Sequence, residues 1–152
     1  MARSEDYSDS VEIAVAPAVA FAALSDLAAM GRRSPENTGG EWLANASGPA
    51  VGAKFRGTNT QGSANWSTNV RVAIYDPPHC FAFEVTYGIF RISRWEFCVE
   101  STREGCRVIE KWKDRRNFYI RRSGDKDGFD RAAYTKTSIR TTLDRLKAEL
   151  ES

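Results

Sequence analysis

With 152 residues, 41% of them hydrophobic and 28% charged, the chain has the size and composition of one folded domain, expected to span 1–152. A net charge of +2 is too small to imply a nucleic-acid partner, and no apolar run approaches the roughly 20 residues that cross a bilayer. The opening "MARSEDYSDS" is polar and acidic, unlike a signal peptide, so a cytoplasmic location is expected. Cys80, Cys98 and Cys106 are odd in number and lack metal-ligand spacing, which predicts reduced structural thiols and no metal.

Val11–Val15 alternates Val11, Ile13 and Val15 on one face and reads as the first strand. Pro17 then opens a helix whose apolar stripe is Val19, Phe21 and Leu24. Ser25 and Asp26 can cap a second short helix, "LAAMG", closed by Gly31. The stretch "GRRSPENTGGEWL" lacks the Lys-Ser/Thr of a phosphate loop. It reads as a connection in which Pro35 halts helical geometry and Gly39-Gly40 turn the chain into a strand starting at Trp42.

From Glu41 to Asp114 the period is two. "AKFRGTN" and "NWSTNVRVAIY" are strands, the latter with Trp66, Thr68, Val70, Val72 and Ile74 on one face. Asp76-Pro77-Pro78-His79 is a turn. "FAFEVTY", "SRWEFCVE" and "CRVIEKWKD" follow, joined by short turns, which predicts an antiparallel meander. "RRNFYIRR" is a basic connection whose apolar residues are expected to tuck into the core. An anionic membrane surface or a nucleic acid is the alternative partner for that stretch. Phe129, Ala132, Lys136, Ile139, Leu143, Leu146 and Leu150 then recur in steps of three and four, the stripe of one long helix. The expected fold is α+β: a curved antiparallel sheet of about seven strands wrapped around a long C-terminal helix, with two short helices after the first strand. Such a sheet tends to leave a hollow beneath its covering helix.

In this order, "APAVAFAALSDL" (16–27), "SPENTGGEWL" (34–43), "GPAVGAKFRGTNTQG" (48–62), "WSTNVRV" (66–72), "RWEF" (94–97), "EKWKDRR" (110–116) and "TLDRLKAEL" (142–150) resemble the START and birch-pollen-allergen superfamily, SRPBCC. More narrowly, they resemble its actinobacterial polyketide cyclase/dehydrase and lipid transport branch. One departure is Arg33, where the branch often carries an aromatic residue. The resemblance implies the helix-grip fold and a cavity for a small, mostly apolar molecule. It implies neither a reaction nor a cofactor.

Strand parity puts Phe55, Trp66, Phe83, Tyr87, Trp95, Phe97 and Trp112 on the inner face, as candidate cavity wall or as plain core. Asn59, Thr68 and Glu110 share that face. An inward carboxylate needs a partner, a proton or water, so Glu110 is either structurally paired, a polar anchor, or a general acid or base. Asp114, at the strand end, is expected in a salt bridge with the basic connection. Arg32, Arg33 and Glu36 are candidates for the cavity mouth. The leading expectation is binding or carriage of a small hydrophobic or aromatic ligand, lipid- or polyketide-like. A cyclase/dehydratase-type enzyme moving a proton with Glu110, and with Tyr87 or Asn59, is the second reading. A non-catalytic interaction protein with a filled core is the third. No cofactor is expected, and either a monomer or a homodimer fits.

Overall fold

The computed structural model describes residues 6–125 and 128–152. Seven strands form one antiparallel sheet: β1 (Asp6–Ile13), β2 (Asn37–Trp42), β3 (Lys54–Gln61), β4 (Ala64–Asp76), β5 (Cys80–Tyr87), β6 (Phe90–Thr102) and β7 (Gly105–Asp114). From β2 to β7 the sheet is the expected meander, and β1 returns along β7 with Val11 opposite Val108. Helix α1 is Pro17–Leu24, a 3-10 turn covers Leu27–Arg32, α2 is Phe118–Gly124, and α3 is Arg131–Glu151. This is the helix-grip fold, with the 21-residue α3, about 30 Å long, lying in the curve of the sheet.

Local chemistry accounts for the element starts. Pro17 occupies the first turn of α1, where its missing N–H has no partner to lose. The Asp26 carboxylate accepts from the Ala29 N–H at 3.3 Å and opens the 3-10 turn. Asp130 accepts from Ala133 N–H at 3.2 Å at the start of α3.

Several sequence expectations are corrected. The first strand begins at Asp6, ahead of the expected Val11, and ends at Ile13. Val19, placed in the apolar stripe of α1, is exposed, and Ala20 is buried with Phe21 and Leu24. "GRRSPENTGGEWL" is more than a connection, because β2 runs through Gly39-Gly40 and ends at Trp42. At Gly40 a Cβ would meet the Arg56 carbonyl and the Phe55 ring, so only glycine lets β2 close on β3 there. In β4 the register shifts between Val72 and Ile74. Tyr75 therefore takes the inward place opposite Phe81 that alternation gave to Ile74, and it packs on Phe21 at 5.7 Å between ring centres. In α3, Thr135 rather than Lys136 faces the core. "RRNFYIRR" contains the start of α2, capped by Asn117, and its Phe118 and Tyr119 are exposed instead of tucked in.

The cysteines are corrected too. Cys80 and Cys98 face each other across β5 and β6, Cα to Cα 4.3 Å, and are joined in a disulfide, while Cys106 is a buried free thiol. Glu96 lies close enough to both for the three to share an ion, a proximity that sequence spacing hid. In the disulfide neither sulfur is available as a thiolate. Among the described residues, no helix is long and apolar enough to cross a membrane.

Candidate ligand cavity

The core divides into a filled end and a hollow end. Ile13, Phe21, Leu24, Val99, Val108, Leu143 and Leu146 pack tightly at the filled end. Toward the other end, α3 turns Thr135, Ser138 and Thr142 to the sheet. Their short side chains cannot reach the strands opposite, and a cavity of about 300 Å³ remains. Its wall is aromatic: Phe55 from β3, Trp66 from β4, Phe83 from β5, Trp95 and Phe97 from β6, and Trp112 from β7.

Two carboxylates on β7 are buried, and they differ in their partners. Asp114, fully buried, accepts from Arg116 Nε at 3.0 Å and Nη2 at 2.9 Å, the salt bridge expected for it. Glu110, 3% exposed, lines the cavity, and its Oε1 has no hydrogen-bond partner among the described residues. Burial raises the Glu110 carboxyl to about 8, and the negative charge of Asp9, directly opposite on β1, adds to the rise. Asp9 itself is paired with Arg140 at 3.1 Å, so Arg140 does not serve Glu110. At neutral pH Glu110 is therefore a neutral acid, with a proton to donate and an oxygen unsatisfied.

Other polar groups line the wall in fixed pairs. Trp95 Nε1 donates to Ser93 Oγ at 2.9 Å. Asn37 Nδ2 donates to Asn59 Oδ1 at 3.4 Å, and Asn59 Nδ2 donates to Thr68 Oγ1 at 3.3 Å, a ladder across β2, β3 and β4. Glu36, Trp66, Arg116, Ile120 and Arg131 are among the partly exposed lining residues and mark the mouth. There Glu36 and Arg131 are joined at 2.6 Å, and the guanidinium lies over Phe129 and Tyr134.

Of the residues expected at the site, Phe55, Asn59, Trp66, Thr68, Phe83, Trp95, Phe97, Glu110 and Trp112 all line the cavity, and Glu36 stands at its mouth. Tyr87 does not. It forms the last rung of the β5–β6 hairpin and is 54% exposed. Arg32 and Arg33 also lie elsewhere, because both reach the C-terminal part of α3, where Glu149 takes Arg33 Nε at 2.6 Å and Arg32 at 2.8 Å. The pair of arginines holds the Glu149 carboxyl down at about 2, through hydrogen bonds from Arg33 and then Arg32. Sequence reasoning missed Thr135, Ser138 and Thr142. A helix whose apolar stripe is interrupted by small polar residues at these steps was the available signal.

An aromatic-walled hollow under the long helix of a helix-grip sheet defines a class of cavity-bearing proteins. Residues 4–151 match the family "Polyketide cyclase / dehydrase and lipid transport", and the chain belongs to it. It is similar to the polyketide-cyclase-like protein Cgl2372 of Corynebacterium glutamicum, at 30% identity over 99% of this chain and 94% of that one, with a TM-score of 0.65. Two more distant structures share the fold. One is the di-domain ARO/CYC protein StfQ of the steffimycin biosynthetic pathway (14% identity, 97% of this chain, 51% of that one, TM-score 0.77). The other is major latex-like protein 151 of Panax ginseng (10% identity, 97% of each chain, TM-score 0.71). Among curated proteins, none matches the chain in sequence.

Proposed function

We propose that the cavity binds and carries a small, neutral, largely aromatic or lipid-like molecule that presents a hydrogen-bond-accepting oxygen to Glu110. The observation that carries this is the unpartnered Glu110 Oε1 in an aromatic hollow of about 300 Å³. A buried polar atom left without a partner costs about 1–3 kcal/mol, and a ligand carbonyl would recover that cost on entering. The aromatic walls supply the affinity and the single acid supplies orientation, the usual division in a small-molecule site. Cavity volume is at the small end of the range for such sites, which favours a compact ring system over a long acyl chain.

Prodan, a neutral naphthyl ketone, tests this. Three of the four tryptophans line the cavity, so energy transfer from them should report saturable binding with a blue-shifted emission. Glu110→Leu should weaken binding roughly tenfold, the worth of one hydrogen bond. Ser138→Phe should abolish binding while leaving the far-ultraviolet circular dichroism intact. Non-saturable binding, or indifference to both substitutions, sinks the reading. Mass spectrometry of molecules extracted from purified protein would identify a natural occupant.

A second reading, an enzyme of cyclase or dehydratase type, is favoured by one property of the same residue: Glu110 holds its proton at neutral pH and can donate it. Glu110→Gln would then keep ligand affinity and abolish turnover. Unchanged turnover in that variant would remove the acid this reading needs.

A further inference from the structure

Seven large hydrophobic side chains are exposed among the described residues, and five of them, Tyr87, Ile89, Phe90, Phe118 and Tyr119, lie at one end of the molecule. The strand register brings them there. Tyr87 pairs with Phe90 at the tip of the β5–β6 hairpin, and Ser93 pairs with Asp114 at the end of β7. The Arg115 N–H donates to the Ile92 carbonyl at 2.9 Å, so the hairpin tip projects beside the chain that enters α2. This is also the end where the cavity opens, since Ile92, Arg116, Ile120 and Gly124 all contribute to its lining.

The fold does not call for these residues. Gly88, at φ 59°, supplies the left-handed geometry that the turn needs, yet its neighbour Ile89 is 92% exposed. Tyr119 is 79% exposed on a helix with no buried residue. Cations accompany them. Arg91 and Arg122 are exposed, and neither they nor Arg115 has a carboxylate partner among the described residues. The carboxylates nearby, Asp114 and Asp125, are both taken by Arg116.

We propose that this end of the molecule docks on the surface of an anionic lipid bilayer, with Ile89 and Tyr119 dipping below the headgroups and Arg91 and Arg122 meeting their phosphates. Charge complementarity points to a negatively charged partner. A hairpin apex beside a short helix, carrying aromatic and arginine side chains, suits an interface where rings sit at headgroup depth. A flat protein partner would leave such separated protrusions poorly packed. The inference rests on the carrier reading in one respect: docking at this end would let an apolar molecule pass between bilayer and cavity without crossing water.

Co-sedimentation of the full chain with vesicles tests it. Binding to phosphatidylcholine vesicles containing phosphatidylglycerol should exceed binding to phosphatidylcholine alone by at least about tenfold, and should weaken with added salt. Ile89→Ser with Tyr119→Ser should lower partitioning about tenfold. Arg91→Glu with Arg122→Glu should abolish the preference for anionic vesicles. All four positions are exposed, and retained prodan binding would show that each variant keeps its fold. No sedimentation with either vesicle, or partitioning indifferent to both variants, overturns the proposal. So does a concentration-dependent dimer dissolved by Ile89→Ser, which would assign the tip to a second copy of the chain. Vesicle binding lost with prodan binding kept breaks this proposal alone, and the reverse pattern breaks the cavity reading alone.

Discussion

The two ends of the interior are built from the same sheet and the same helix, yet one is solid and the other hollow. At the solid end α3 presents Leu143 and Leu146 to Phe21, Leu24 and Val108, all buried to within a few per cent of full enclosure. At the hollow end it presents Thr135, Ser138 and Thr142 to a wall of larger rings, and the deficit of volume on the helix side is the cavity. The difference assigns stability to one end and binding to the other. A carboxylic acid without a partner is tolerated only where the packing is incomplete, because water or a ligand can reach it there. The polar residues at the solid end work differently: Arg33, 3% exposed, is fixed by Glu149 and by the Ala23 carbonyl at 3.0 Å.

The sharpest way to separate the ends is pH. The Glu110 carboxyl sits near 8 in the folded protein and near 4.5 when unfolded, so the folded state holds a proton that the unfolded state has released between these values. Stability should therefore fall as pH rises through that window, by up to about 5 kcal/mol. Thermal melts of the wild type at about pH 5 and about pH 9, set against Glu110→Gln, check this, because the variant should lose the downward slope. A wild-type profile as flat as that of the variant would mean that Glu110 is solvated, and the hollow end would lose its one unusual group. Leu143→Ala, at the solid end, should cost about 3 kcal/mol by urea denaturation, at any pH in that window. If it costs no more than Thr142→Ala, the contrast between the ends fails.

Glu149 gives a smaller effect of opposite sign. Its carboxyl is held near 2, below the ordinary carboxylate value, so the stability it contributes is complete above about pH 4.5 and is lost as pH falls toward 2. Glu149→Gln should cost about 2 kcal/mol at neutral pH, because it leaves the buried Arg33 guanidinium without its anion. Arg32→Ala should cost far less, since that side chain is 65% exposed and its pair is screened. Urea titrations of the two variants side by side would reveal whether the depth of Arg33 decides the difference.

Most of the architecture was legible because the strands are long and alternate without ambiguity. Trp66, Thr68 and Val70, or Phe81 and Phe83, can share a face in only one register, and the cavity wall follows from it. What escaped was set by events that alternation cannot encode. The extra residue at Ala73 passed the inward position from Ile74 to Tyr75. Tyr87 falls on the last pair of the β5–β6 hairpin, where alternation continues but burial does not. Arg32 and Arg33 end the 3-10 turn, and their partner lies 116 and more residues away on α3, a distance no local pattern spans. The disulfide was hidden for the same reason, since Cys80 and Cys98 meet only once β5 and β6 are in register.

The hollow should also be removable without loss of the fold. Thr135, 4% exposed, lies on the buried face of α3 and borders the cavity. Leucine there adds apolar volume into open space and has the better helix propensity, so Thr135→Leu should raise stability by up to about 1 kcal/mol. The same change should weaken prodan at least about tenfold, because the added methyl groups occupy the ligand's space. A gain in stability with a loss of binding is what a volume deficit kept for a guest would produce. Destabilisation by Thr135→Leu would instead mean that the helix already fits the sheet there, and that the space beneath it is too small to matter.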